Sequence, residues 1–129
     1  MNEHEQGFVQ AFVHSDRRER FLAALANPAR RSVFNRELYH PKRNFLVSKC
    51  IEPIVPSEHY TKFLAPRLIR LGAPGECWVF GNYIDGRRMN LTDALDTLIG
   101  MRSGTIASCL PGRLAFFESE EYRIILRKP

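Results

Sequence analysis

The residue types that most often carry out chemistry are few in this sequence and lie far apart. Three cysteines stand at positions 50, 77 and 109, and four histidines at positions 4, 14, 40 and 59. A zinc site needs close pairs such as Cys-x-x-Cys, and a reactive thiolate needs a neighbouring group that lowers its pKa. Because neither pattern is present, the sequence predicts no metal, no cofactor and structural roles for Cys77 and Cys109.

A stretch between two glycines could bind an anion. From position 100 to 105, backbone N–H groups together with Arg102, Ser103 and Gly104 could surround a phosphate. The stretch lacks the lysine and the strand–loop–helix order of a nucleotide phosphate-binding loop. A helix cap followed by a strand explains both glycines more simply. The acidic residues are explained by helix dipoles and a solvated turn, so no catalytic residue is predicted.

Several charged residues fall where apolar residues are expected. If a helix begins at Pro28, both Arg30 and Glu37 lie on its apolar side. Because an unpaired buried charge is costly, these side chains either pair across the core or form an exposed interaction surface. Ordinary packing, with arginine stems that reach solvent, is the alternative. The predicted interaction residues are Arg18, Arg30, Arg31, Glu37 and Arg67.

The net charge of +5 comes mainly from the N-terminal part of the chain. Residues 1–50 hold nine Lys or Arg against five acidic residues, whereas residues 51–129 hold ten against nine. This excess could attract nucleic acid or an acidic protein, although it also lies within the range that keeps a small domain soluble. Phe34, Tyr39 and His40 are possible stacking partners for bases. The basic residues concerned are Arg17, Arg18, Arg20, Arg30, Arg31, Arg36, Lys42 and Arg43.

Apolar residues at helical spacing predict helices through most of residues 7–72. The expected helices lie near residues 8–13, 15–25, 28–40 and 57–72. The last of these should be kinked or split by Pro66 and ended by Gly72. Residues 41–56 contain three prolines and are predicted to form an irregular connection.

From position 76 the pattern changes to strands. Residues 77–80 form a short buried strand, Asn90 caps a helix over residues 91–99, and three strands follow at 105–110, 114–117 and 122–126. Pro111 and Gly112 suit a type II turn between the first two of these. The sequence therefore predicts one α+β domain over residues 1–129, with a helical part at about 7–72 and a sheet part at about 76–128. Its β-α-β-β-β order gives a four-stranded, mostly antiparallel sheet with helices on one face.

The C-terminal part resembles a small bacterial family of uncharacterised proteins. The likeness rests on Gly-Thr-Ile at 104–106, Ser-Cys-Leu-Pro-Gly at 108–112 and Leu-Ala-Phe-Phe-Glu at 114–118. The turn at 83–86 and the helix at 91–95 are also similar, so the resemblance covers about residues 70–127. It implies a bacterial, cytoplasmic protein and brings no activity or cofactor.

Together these patterns favour a non-enzymatic cytoplasmic protein that binds a macromolecular partner or associates with itself. RNA or DNA binding is the alternative, and an enzyme with Cys109, Arg102 or Tyr122 in a pocket beside the sheet is a third hypothesis. The acidic N-terminus lacks the features of a secretory signal, and no apolar stretch approaches the roughly 20 residues that span a bilayer. The cysteines are odd in number and widely spaced, which favours reduced thiols over disulfides.

Overall fold

A computed structural model describes residues 1–39 and 45–129 and places helices and strands in an α+β fold, as predicted. Within these ranges the α-helices are α1 (Glu3–Phe12), α2 (Ser15–Ala26), α3 (Arg31–Tyr39), α4 (Thr61–Arg70) and α5 (Leu91–Leu98). The strands are β1 (Ile51–Pro53), β2 (Glu76–Gly81), β3 (Arg87–Asn90), β4 (Thr105–Leu110), β5 (Leu114–Glu118) and β6 (Arg123–Arg127).

The strands of the described ranges form a single antiparallel sheet in the order β1-β6-β5-β4-β2-β3. The expected C-terminal meander is present, with Phe116 of β5 opposite Ala107 of β4 and Ile125 of β6. Gly112 has a φ of 68°, and the N–H of Arg113 donates to the carbonyl of Leu110 at 3.0 Å. These are the features of the predicted type II turn.

The four-stranded prediction is wrong, because two edge strands extend the sheet to six within the described residues. β1 pairs with β6, and β3 pairs with β2. The first is three residues long and ends in Pro53, while the second carries exposed Arg87 and Arg88. Short strands with charge or proline are typical of sheet edges, where they discourage pairing with other chains. Neither has the apolar alternation by which sequence reveals a strand.

The prediction that helices cover one face of the sheet is also wrong. α1, α2 and α3 pack with Phe117 and Phe80 in one apolar cluster, whereas α4 and α5 pack with Phe116 and Val79 in another. Phe116 and Phe117 are adjacent and therefore point to opposite faces, yet both are fully buried. A sheet covered on both sides needs continuous apolar strands, which is what β5 provides.

Element boundaries differ from the predicted ones at α1, which begins at Glu3 and not near residue 8, and around residues 27–61. A short 3-10 turn at Pro28–Arg30 precedes α3, and α4 begins at Thr61 and continues unbroken past Pro66. The side chain of Asn90 caps α5 as expected, accepting from the N–H groups of Thr92 and Asp93. Residues 40–44, which include the predicted end of the third helix and the start of the irregular connection, lie outside the described ranges. No helix of the described ranges is long and apolar enough to cross a membrane.

Candidate functional site

Arg31, one of the predicted interaction residues, lies at the centre of a polar network. From the start of α3, its guanidinium donates to both carboxylate oxygens of Glu5 at 2.8 and 3.2 Å, the two-pronged geometry that arginine favours. The same guanidinium donates to the carboxylate of Asp85 at 2.6 and 3.1 Å. One arginine thereby joins α1, α3 and the turn between β2 and β3.

Neighbouring donors complete the hydrogen bonding of this network. Trp78 Nε1 donates to Glu5 Oε2 at 2.9 Å, and Asn35 Nδ2 donates to Asp85 Oδ2 at 3.2 Å. Burial acts to raise the pKa of Asp85, but hydrogen bonds from Arg31 and Asn35 outweigh it and hold that pKa below its usual value. Asp85 is therefore ionised and bound at neutral pH. The network is therefore better suited to holding α1, α3 and the β2–β3 turn together than to general acid–base chemistry.

A second buried polar pair lies on the same face of the sheet. His4 Nδ1 of α1 is 2.8 Å from Ser108 Oγ of β4, and both residues are buried. Burial, assisted by the charge of Arg88, lowers the pKa of His4. A serine beside a neutral histidine resembles a nucleophile with its base. Within the described residues, however, no further hydrogen-bond partner orients the His4 ring, and Ser108 is almost fully enclosed.

The other predicted interaction residues do not gather at one place. Arg30 is exposed in the 3-10 turn before α3, so it does not occupy the apolar face on which a helix from Pro28 would put it. Glu37 forms ion pairs with Arg20 at 3.2 Å and Arg17 at 3.8 Å.

Two further arginines from that prediction have local partners on different elements. Arg18 Nε donates to the carbonyl of Val13 at 2.7 Å. Arg67 belongs to α4, which covers the other face of the sheet, and pairs with Glu52 at 2.8 Å and Glu58 at 3.7 Å. The predicted set therefore contributes one residue, Arg31, to a buried network and distributes the rest over separate surfaces.

The predicted anion loop binds Glu118 of the protein itself, whose carboxylate also forms an ion pair with Arg123. Glu118 is 1% exposed. Its Oε2 accepts from the backbone N–H of Arg102 at 2.9 Å, and its carbonyl accepts from the N–H of Gly104 at 3.0 Å. The guanidinium of Arg102 donates to the carbonyl of Glu120, and the hydroxyl of Ser103 bonds that of Thr105. The groups proposed for phosphate binding thus have partners within the chain, and phosphate binding there stays a prediction.

The thiols of Cys77 and Cys109 are buried among apolar side chains. Burial raises the pKa of each to about 12, which keeps both protonated at neutral pH. Ala107 and Cys109 pack in the same cluster as Ala94 and Leu95 of α5. The small side chains of β4 therefore accommodate a helix, the structural role that their pattern predicted.

An open basic cleft of about 440 Å³, which the sequence did not reveal, lies at one end of the sheet. Its floor is formed by Leu71, Leu110 and Leu114. Its charged side chains come from the start of β5 and the end of β6, which are paired with each other. The N–H of Lys128 donates to the carbonyl of Arg113 at 3.0 Å, which holds these residues side by side. The basic residues that line the cleft are Arg113, Arg127 and Lys128.

Most of the charge in this basic cleft is not neutralised by the protein. Arg113 and Lys128 have no ion pair within the described ranges, and Arg127 has Glu52 at 3.4 Å. A sequence signal for the cleft did exist, since the predicted meander pairs the residue after Gly112 with the last residues of the chain. What the sequence could not show is that the end of α4 adds an apolar wall.

No family model matches this chain, and neither does a curated protein or a solved structure. The resemblance of residues 70–127 to an uncharacterised bacterial family therefore stays a prediction. Within the described ranges, no three His, Cys, Asp or Glu side chains are grouped so as to hold a metal ion.

Proposed function

We propose that this chain is a binding protein whose basic cleft takes an acidic segment of a protein partner. The observation that carries the proposal is the set of cations around an apolar floor, of which Arg113 and Lys128 have no ion pair within the described residues. Concave surfaces that combine apolar walls with a few polar groups are the usual form of a binding site. Basic charge above such a floor is complementary to a segment that mixes Glu or Asp with aliphatic residues.

The lining of the basic cleft favours a peptide over other partners. Its floor is aliphatic, and its lining contains no aromatic ring on which a base could stack. None of its side chains is a carboxylate, imidazole or thiol that could act as base or nucleophile. The free, buried cysteines are consistent with a reducing compartment, so we place this binding in the cytoplasm.

The test is binding of a short, fluorescein-labelled peptide of alternating Glu and Leu residues, followed by fluorescence anisotropy. We expect the double variant Arg113→Gln with Lys128→Gln to weaken binding at least about tenfold, because both unpaired cations are lost. Wild-type binding should weaken as salt rises from about 50 to 200 mM, since exposed charges are screened. A peptide with Gln in place of Glu should bind poorly at either salt concentration.

A matched variant separates the basic cleft from general charge. Arg30→Gln with Lys49→Gln removes the same charge from two exposed side chains that have no ion pair within the described residues. This control should bind the peptide like the wild type. If it loses binding while the cleft variant keeps it, the interface lies on the helical side, as the sequence predicted. Equal losses in both variants would mean that only net charge attracts the peptide.

A further inference from the structure

A separate groove of about 310 Å³ lies along α3. The residues that line it are Ser32, Asn35, Arg36, Tyr39 and Asn82. Unlike the basic cleft, it contains an aromatic ring, because the side chain of Tyr39 is 43% exposed. Tyr83, the residue after Asn82, is a second exposed tyrosine. Aromatic, cationic and amide groups therefore meet on one surface.

Two amides in the groove are held in fixed orientations by the hydrogen bonds that their Nδ2 atoms donate. Asn82 Nδ2 donates to the carbonyls of Asn35 and Gly104 at 2.6 and 3.0 Å, so its Oδ1 must face elsewhere. Asn35 Nδ2 donates to Asp85, and Asn35 Oδ1 is buried without a hydrogen-bond partner within the described residues. Reversing either amide would bring its oxygen against a carbonyl or carboxylate oxygen. A buried acceptor without a donor is uncommon in folded proteins and calls for an explanation.

We propose that this groove binds one unstacked nucleotide of a single-stranded nucleic acid. Tyr39 offers a face for base stacking, and exposed Arg36, which has no ion pair within the described residues, offers a partner for phosphate. Asn82 is exposed, and its Oδ1 can accept a hydrogen bond from an exocyclic amino group of the base. Bases stacked inside a duplex cannot reach such a groove, which is why the strand is single. The N-terminal charge excess, which the basic cleft does not explain, would attract the same polyanion.

Only some of the residues that the sequence suggested for nucleic-acid binding can contribute to this groove. Phe34, a predicted stacking residue, is fully buried and cannot stack on a base. Arg17 and Arg20 are engaged with Glu37. His40, Lys42 and Arg43 lie outside the described residues. Arg36 and Tyr39 are the residues of the predicted set that line the groove, together with amides that the sequence did not indicate.

The test uses fluorescein-labelled oligo(C) RNA, oligo(C) DNA and oligo(U) RNA, with dissociation constants measured by anisotropy at about 50 mM salt. We expect Tyr39→Leu to weaken oligo(C) binding by about 5- to 100-fold, the loss that one stacked base produces. Tyr39→Phe keeps the ring and should bind within about twofold of the wild type. Arg36→Gln should weaken binding and reduce its salt dependence by about one phosphate contact. Oligo(C) should bind more tightly than oligo(U), because cytosine carries an exocyclic amino group.

Matched variants locate the interaction. Tyr60→Leu removes an even more exposed tyrosine from the start of α4, and Arg113→Gln removes a cation from the basic cleft. Both should bind the oligonucleotides like the wild type. Tighter binding of RNA than of DNA identifies contact with the 2′-hydroxyl, and equal binding identifies base and phosphate alone. The proposal is overturned if no oligonucleotide binds at about 50 mM salt, or if Tyr60→Leu or Arg113→Gln weakens binding as much as Tyr39→Leu.

Discussion

Two cavities of similar size, about 370 and 440 Å³, are lined by arginine. They differ in whether the arginine has an ion-pair partner. In the smaller one, Arg31 donates to the carboxylates of Glu5 and Asp85, and Glu5 also accepts a hydrogen bond from Trp78. In the larger one, Arg113 has no ion pair within the described residues. Pairing, more than residue type, therefore separates the structural Arg31 from Arg113, which we propose binds a partner.

Burial explains why the two cavities differ. Glu5 is 3% exposed, so its charge must be compensated within the protein, and Arg31 with Trp78 supplies that compensation. Arg113 is exposed, and water compensates its charge without a protein partner. Removing a charge from the first cavity should therefore lower the free energy of unfolding, whereas removing one from the second should leave that free energy unchanged.

The largest effect is expected for Glu5→Ala, which leaves Arg31 and Trp78 without a buried acceptor. We expect a loss of about 3 kcal/mol in the free energy of unfolding, at the lower end for a broken buried ion pair because Arg31 keeps Asp85. Glu5→Gln retains an acceptor and should lose less. Urea unfolding followed by the fluorescence of Trp78, the single tryptophan, measures both. Equal losses in the two variants would show that packing, and not pairing, makes Glu5 necessary.

An effect of comparable size is expected at the loop whose backbone binds the carboxylate of Glu118. Gly104 has a φ of +78°, and a Cβ there would lie 2.7 Å from the backbone of Leu38. Gly100 in the same loop has a φ of +93° with no atom within 4 Å of such a Cβ. Gly104→Ala should lose about 3 kcal/mol of unfolding free energy and Gly100→Ala about 1 kcal/mol.

The thermal midpoints of these two glycine variants, with unfolding free energies from urea titration, check this ranking. Because the backbone strain is alike, the difference between them reports the close contact between α3 and the loop. If the two variants lose equal stability, α3 and the loop separate easily, and Glu118 is less tightly enclosed than Glu5.

The C-terminal fold could be predicted because its signals are local. Pro111 and Gly112 define a turn from their own backbone preferences, and Asn90 caps the helix that follows it. The edge strands could not be predicted, since Ile51 and Arg87 are strand residues only because β6 and β2 lie beside them. Phe116 and Phe117 did carry a signal for a sheet covered on both faces, as two consecutive aromatic residues in a strand require it.

The candidate sites were less predictable than the fold, because each depends on contacts between distant residues. Arg31 meets a residue 26 positions before it and another 54 positions after it. Arg30 was misplaced because a helix wheel from Pro28 ignores the change from 3-10 turn to α-helix at Arg31. Arg113 and Lys128 come together only through the register of β5 and β6. Charge counts along the sequence describe none of these pairings.

A pH effect is expected from His4, whose partner Ser108 is uncharged. Burial lowers the pKa of His4 in the folded chain below its ordinary value of 6.5. The unfolded chain therefore binds a proton first, so stability is complete above about pH 6.5 and falls as pH decreases. One group contributes at most about 1.4 kcal/mol per pH unit. Urea unfolding at pH 7.5 and 5.5 should show this decrease for the wild type and a smaller one for His4→Gln. An unchanged pH dependence in that variant would assign the effect to other groups.

The smallest effect on stability is expected in the basic cleft. Arg113→Gln with Lys128→Gln should change the free energy of unfolding by less than about 0.5 kcal/mol per substitution, because neither exposed side chain loses an ion pair. Arg127→Gln gives up its contact with Glu52 and serves as the comparison within the same cleft. Urea unfolding at low and high salt measures all three. A loss above about 1 kcal/mol for Arg113 or Lys128 would mean that these cations support the fold as Arg31 does. That result would contradict the proposal that these two cations are available to bind a partner.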